Sequence, residues 1–292
     1  MLKTMLKTIL FTLLLFQVNI YATDKYIQPP YDQRLDHVKD AKDWFYTADK
    51  LSDSAFNLGV TYHKKFKDYK QAEFWYKQAY RLNKNDSGAT NNLGYLYNDL
   101  KEYDKAIQWY KKTYELNDAS GALNLGVLYE NNLKNYKEAV KWYKIAIKKG
   151  NFGGANNLGI IYEDQHKYNK AIKWYIIADK NGNKSAALNL ALLYKNTFKK
   201  YDEAIKWNKE AIKKGNEGAF KNIGRLYYHQ FNDKINAAQY YIALINNPYP
   251  KEKILSFLKN NWHISNEQIQ EAYTLQLNSK IIPEKLKYRG GI

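Results

Sequence analysis

The chain has 292 residues and a formal net charge of +17, with 45% hydrophobic and 26% charged residues, no cysteine and only 5 prolines. That composition excludes a disordered polymer and a disulfide-stapled or thiolate-based protein, and the scarcity of helix breakers favours helices over strands. The basic excess raises nucleic acid as a partner, but most of it is Lys scattered among Asn, Ile and Tyr, which reads as a solvated surface rather than a phosphate-binding one.

In chain order, residues 1–22 read as an export signal. Lys3 and Lys7 precede an apolar run at 9–20, "ILFTLLLFQVNI", and a small Ala22 suits cleavage. The run is shorter than the roughly 20 residues a membrane span needs, so no stable membrane insertion is expected after cleavage, and the mature chain is expected in the periplasm or secreted. Residues 23–37, with Pro29 and Pro30, read as an extended lead-in.

From about residue 38 to 247 a periodic pattern takes over. Trp44, Trp75, Trp109, Trp142, Trp174 and Trp207 recur about every 33 residues, each preceded three positions earlier by Ala. Ala237 and Tyr240 continue the register without Trp. Between them runs a second series: Leu58-Gly59, Leu93-Gly94, Leu125-Gly126, Leu158-Gly159, Leu190-Ala191 and Ile223-Gly224, each with a Tyr three positions beyond the Gly or Ala. Both series have helical spacing, so each period predicts two antiparallel helices joined by a short polar turn. Gly94 and Ala106 would let helix axes approach, and the rings would fill the space alongside as core. Residues 38–50 carry only the second-helix pattern and would form a half-unit. "KKGN" at 148–151 and 213–216 and "KNGN" at 180–183 predict helix ends closed by Gly.

Residues 248–292 leave the period. Pro248 and Pro250 stop the last repeat, 251–262 and 265–276 predict two capping helices, and Ser265 with Gln268 predicts a capping box. The final "PEKLKYRGGI" reads as a loose tail.

The stretch at 150–183, "GNFGGANNLGIIYEDQHKYNKAIKWYIIADKNGN", resembles a Sel1-like repeat, and "NNLGYLYNDLKEYDKAIQWYKKTYELN" at 91–117 is similar to the related tetratricopeptide form. The resemblance implies an all-α, right-handed solenoid of antiparallel helix hairpins with a C-terminal helical cap and a concave inner surface. It also implies a scaffold that binds a protein or peptide, and the basic charge suits an acidic partner. Two narrower readings follow from relatives. One is an immunity protein that neutralises an antibacterial toxin. The other is a β-lactamase-like hydrolase, which the lack of Cys and the expected lack of a Ser nucleophile motif argue against.

One polar series has the right period for a binding face: Asn57, Asn92, Asn124, Asn157, Asn189 and Asn222, each just before Leu or Ile. A side-chain amide donates and accepts, which suits a peptide backbone, and the resemblance places such an Asn on the concave face. The same amides could instead bond neighbouring helices and order the stack; both readings stay open. Asn91, Asn156, Lys221, Tyr95 and Arg225 are expected on the same face. Lys141, Lys144, Lys173, Lys206, Lys209 and Lys213, on second helices, are expected to point outward. The five His carry no metal-ligand spacing, and no phosphate-cradling loop is read. The chain is therefore expected to be a non-enzymatic binder with no cofactor, no metal and no nucleic-acid partner.

Overall fold

Apolar residues at helical spacing, punctuated by short polar turns, fold as fifteen α-helices among the described residues, with no sheet beyond one isolated bridge between Ile245 and Tyr249. The computed structural model describes residues 28–246 and 248–292; the predicted export signal lies outside them. The chain divides into two compact units, one through Leu96 and the other from Tyr97.

The first unit holds α1 (Ala41–Thr47), α2 (Ser52–Val60), α3 (Tyr69–Leu82) and most of α4 (Ser87–Asp99), which runs on into the second. A wider helical turn, Thr61–Phe66, extends α2; the Thr61 hydroxyl donates to the Asn57 carbonyl at 2.9 Å, a local bond that competes with the regular ladder. The α1 half-unit seats Phe45 edge-on against Trp75 at 5.9 Å. The lead-in departs from its expected extended form. Residues Gln33–His37 make a 3-10 turn, because Leu35 is fully buried and Arg34 pairs with Asp32 at 2.6 Å and Asp68 at 2.8 Å. Gln28 donates to the Phe45 carbonyl at 2.7 Å.

The second unit continues with α5 (Tyr103–Glu115), α6 (Ala119–Asn131), α7 (Tyr136–Lys148), α8 (Ala155–Asp164), α9 (Tyr168–Lys180), α10 (Ala186–Asn196), α11 (Tyr201–Lys213), α12 (Glu217–Gln230) and α13 (Lys234–Ile242), then α14 (Lys251–Trp262) and α15 (Asn266–Asn278). Hairpins α6–α7, α8–α9, α10–α11 and α12–α13 pair the two sequence motifs as expected. Within each hairpin the motif Tyr of the first helix accepts a backbone bond from the cap of the second, as Asn135 N to Tyr129 O at 2.8 Å and Asp233 N to Tyr227 O at 2.9 Å. These turns pass through a left-handed residue that is not Gly, including Lys134, His166, Lys199 and Asn232.

Between hairpins the expected glycine ends form. Gly150 sits at φ 87°, its N–H bonds Ile147 O at 2.9 Å and Asn151 N bonds Ala146 O at 3.0 Å, which closes the last carbonyls of α7. Asn151 then caps the next segment by accepting from Gly153 N at 3.0 Å.

Most of the aromatic load is packed, with Tyr46, Tyr95, Tyr136 and Phe231 exposed. None of the seven Trp is exposed, and Trp75 is fully buried. As deep as Trp75, and deeper than the other Trp, are the Tyr that follow Trp: Tyr76 and Tyr143 are fully buried, with Tyr110 and Tyr175 nearly so. The reason is the motif Gly. A methyl at Gly159 would lie 3.0 Å from Tyr175 Cγ and closer still to the ring edge, so only hydrogen leaves room for the ring. The same relation holds between Gly126 and Tyr143 and between Gly224 and Tyr241.

At the C-terminus, Trp262 takes the place the period leaves open. It stacks on Tyr228 at 4.5 Å and meets Tyr241 and Phe257, joining α14 to the last hairpin. The predicted capping box forms, with Ser265 Oγ accepting from Gln268 N at 3.2 Å. The tail is not loose. Gln276, fully buried, donates to Tyr288 O at 2.6 Å and accepts from Tyr288 N at 3.1 Å, and Ile282 is buried beside them. An amide side chain bonds an extended backbone on both sides, so the tail is held by geometry that no period announces.

Candidate functional site

Each predicted Asn stands one residue before the Leu or Ile that enters the core, so its side chain lies at the edge of the hairpin packing. In the second unit this edge holds a hydrogen-bond network. Asn157 donates to Tyr143 Oη at 2.9 Å and to Glu130 Oε2 at 3.2 Å, while Tyr143 itself donates to Glu130. Asn189 donates to Asn156 Oδ1 at 2.9 Å, one hairpin earlier. Asn222 donates to Asn208 Oδ1 at 2.9 Å and accepts from Lys195 Nζ at 3.2 Å. Asn124 is buried, 8% exposed. Asn157, Asn189 and Asn222 therefore tie successive hairpins together.

In the first unit, Asn92 donates to Gly88 O at 3.0 Å within its own helix, Asn57 and Asn91 are half-buried, and Tyr95 is exposed at 42%. Of the predicted outward Lys, all are exposed except Lys209, which is half-buried. Lys141 and Lys213 form surface pairs with Glu138 and Glu210 at 3.2 and 2.7 Å.

The structure adds a polar series that the sequence reading missed. In three hairpins the residue six beyond the Asn meets the ring of the following helix: His63 Nδ1 lies 3.5 Å from Tyr76 Oη, Glu130 accepts from Tyr143, and Glu163 accepts from Tyr175 at 2.7 Å. Burial raises the Tyr143 and Tyr175 hydroxyls well above the usual phenol range, and the Glu partners raise them further. In the α10–α11 hairpin the pattern inverts. Ala191 replaces Gly, fully buried Asn208 replaces the ring, and Lys195 replaces Glu. Lys195 loses proton affinity chiefly by burial, then by the neighbouring charges of Arg225 and Lys199. The signal was in the sequence: the offset of six from each Asn has the same period.

Lys221 and Arg225, on α12, come together elsewhere. With Tyr241 of α13, Tyr249, and Lys253, Ile254 and Phe257 of α14, they line a hollow of about 200 Å³. The three residues from α14 and Tyr249 were also missed, because they lie outside the repeat.

No group of three or more His, Asp or Glu that could hold a metal occurs among the described residues. His166 bonds Tyr168 Oη at 2.8 Å through Nδ1 and sits in a left-handed turn position. One expectation is corrected. Ser256-Phe257-Leu258-Lys259 does fit the spacing S-x-x-K. Both polar side chains are exposed on α14, and Ser256 Oγ is bonded by Asn260 at 3.0 Å. A Ser nucleophile needs a base within hydrogen-bond reach, and no Ser256–Lys259 bond is formed.

The architecture is that of a helical-hairpin repeat protein. Family models match it directly: the Sel1 repeat at residues 119–151, 154–183 and 184–216, and the tetratricopeptide repeat at residues 60–121. The chain belongs to the Sel1-like and tetratricopeptide-like repeat proteins. Among solved structures, it is similar to c5321, a protective antigen of uropathogenic Escherichia coli with an SLR fold. Identity is 25%, with 87% of this chain and 61% of that one covered, at a TM-score of 0.58. The chain thus spans less than two thirds of that antigen's length. It also resembles pilF of Pseudomonas aeruginosa in fold, at 22% identity, 76% and 100% coverage and a TM-score of 0.52. A Sel1 repeat protein from Oxalobacter formigenes matches at 27% identity, 73% and 87% coverage and a TM-score of 0.47. No curated protein matches the chain.

Proposed function

We propose that this chain is an exported, non-enzymatic scaffold that binds a protein or peptide through the first helices of its hairpins. Repeat proteins of this class typically mediate protein interactions. The supporting observation is a contrast between two series in the same helices. The positions entering the core repeat their chemistry, Leu or Ile then Gly or Ala. The next position does not: Val60, Tyr95, Val127, Ile160, Leu192 and Arg225. Tyr95, Ile160 and Arg225 are exposed and the other three half-buried. A buried series preserves packing, whereas the exposed members Tyr95, Ile160 and Arg225, an aromatic ring, an aliphatic chain and a cation, offer selectivity at the surface.

The Asn series is reassigned within this reading. Asn157, Asn189 and Asn222 spend their amide hydrogens on neighbouring helices, so they hold the surface in register. Contact with the partner falls to the adjoining side chains. The excess of Lys favours an acidic partner.

The test is capture from a periplasmic extract, identification by mass spectrometry and reconstitution from purified components. Ile160→Glu and Arg225→Glu are expected to weaken binding, while Lys173→Glu on an outer helix face retains it. Equal binding by all three would refute the reading.

A further inference from the structure

The hollow at α12–α14 gathers three cations around apolar rings. Some Lys side chains pair with acids three or four residues away, as at Lys77–Glu73, Lys141–Glu138 and Lys213–Glu210, and others lie singly over a ring, as Lys84 over Tyr80 at 4.5 Å. Lys221, Arg225 and Lys253 make no ion pair with a carboxylate of the described residues. Lys221 instead lies 4.2 Å from the Tyr249 ring centre and donates to its hydroxyl, and Lys253 lies 5.7 Å from the same ring. A ring face holds an exposed cation less tightly than a charge-assisted bond to a carboxylate does. Arg225 leans toward Tyr241 and adds to the positive field felt by Lys195.

The floor is apolar and firmly held. Tyr241 is buried and stacks on Phe257 at 5.2 Å, and Ile254 is buried beside them. Tyr249 is fixed by backbone bonds, its N–H to Leu244 O at 3.3 Å and its carbonyl from Asn246 N at 2.7 Å. At about 200 Å³ the hollow is smaller than the roughly 300–1,000 Å³ of small-molecule sites. It suits one large side chain.

We infer that this hollow anchors an acidic peptide segment of the partner, with a large apolar side chain against Tyr241, Tyr249 and Phe257 and flanking carboxylates on Lys221, Arg225 and Lys253. The inference rests on the scaffold reading and names the chemistry of what the scaffold holds. The occupant follows from charge complementarity: three cations around an apolar floor, each lacking a carboxylate. Binding an acidic segment would exchange ring contacts for charge-assisted bonds and cover Phe257, which is half-buried in the free protein.

The experiment uses the full chain and a fluorescein-labelled peptide of ten residues, all Asp and Glu except one central Phe, read by anisotropy. Control peptides carry Asn and Gln for the acids, or Ala for Phe. Competitors are inorganic phosphate and phosphatidylglycerol vesicles. Arg225→Glu and Lys253→Glu alter exposed side chains, and circular dichroism checks that helix content is kept. The acidic peptide is expected to bind the wild type, about tenfold more weakly to either charge reversal. It should bind Lys173→Glu as it binds the wild type, and the Ala peptide should lose roughly fivefold.

The inference falls if the acidic peptide does not bind, if the amide peptide binds equally well, if Lys173→Glu weakens binding as much as Arg225→Glu, or if phosphate or vesicles displace the peptide at matched charge concentration. If it falls while Ile160→Glu still abolishes capture of the reconstituted partner, the scaffold reading stands alone. If capture survives both Ile160→Glu and Arg225→Glu, the scaffold reading itself falls.

Discussion

Gly159→Ala sets two effects of opposite sign against each other. On helix propensity alone, Ala in place of Gly within α8 stabilises by about 1 kcal/mol. The structure reverses the sign. The new methyl would sit 3.0 Å from Tyr175 Cγ and nearer to the ring edge, and that ring is almost fully buried. Forcing a methyl into a packed core costs about 1–3 kcal/mol. Moving the ring also pulls Tyr175 Oη from Glu163, now 2.7 Å away, a charge-assisted bond worth about 1.5–3 kcal/mol. The expected net loss is about 2–4 kcal/mol, read from urea denaturation followed by circular dichroism. The protein already contains the compensated arrangement, since the same register sets Ala191 against Asn208, both fully buried. Tyr175→Asn alone should cost about 3–5 kcal/mol through the cavity it leaves. The double variant Gly159→Ala, Tyr175→Asn should be more stable than the two single losses add to, by about 1–3 kcal/mol. A Gly159→Ala protein as stable as wild type, or more so, would refute the argument that the motif glycine is there for the ring.

Other consequences can be checked in the same preparation. Asn157→Ala removes bonds to Tyr143 and Glu130 and should cost about 1–2 kcal/mol in denaturant, with no change in helix content under native conditions. Gln276→Ala releases both bonds to the Tyr288 backbone, so limited trypsin should cut the last dozen residues from the variant well before the wild type. Alkali should unfold the protein. Burial raises the hydroxyls of Tyr76, Tyr143, Tyr175 and Tyr240 above the roughly 10 of an unfolded chain. Their contribution is whole below that value. Above it the unfolded state releases protons that the folded state keeps, so stability falls by about 1.4 kcal/mol per pH unit for each such tyrosine. Phenolate absorbance and loss of helix should then rise together in one transition, and separate transitions would contradict the burial of these rings.

Much of this was written in local spacing. The recurrence of Ala three before Trp, and of Leu-Gly before Tyr, fixes which face of each helix is apolar. That face can be buried only against another like it, so hairpins follow. The glycine ends at 150, 182 and 215 are equally local, because a left-handed φ is a property of one residue and its neighbours. The Asn series was legible as a series. Its use was not, because Asn157 finds its partners on two helices of the preceding hairpin, Glu130 on α6 and Tyr143 on α7. A period says that positions are equivalent and is silent on what stands opposite them.

The amino-acid order by itself thus determined the helices, their pairing into hairpins and the chemical sorting of core from surface. Tertiary structure decided that Tyr143 and Tyr175 go deeper than the Trp beside them, since that depends on a hydrogen-sized gap at a glycine one helix earlier. It also decided that the tail docks through Gln276 and that Lys253, Tyr249 and Phe257 meet Lys221 and Arg225. Those meetings join segments outside the repeat to segments inside it, and no periodic pattern relates the two. They form because the last hairpin has an apolar face left to cover, and α14 returns with Trp262 to cover it.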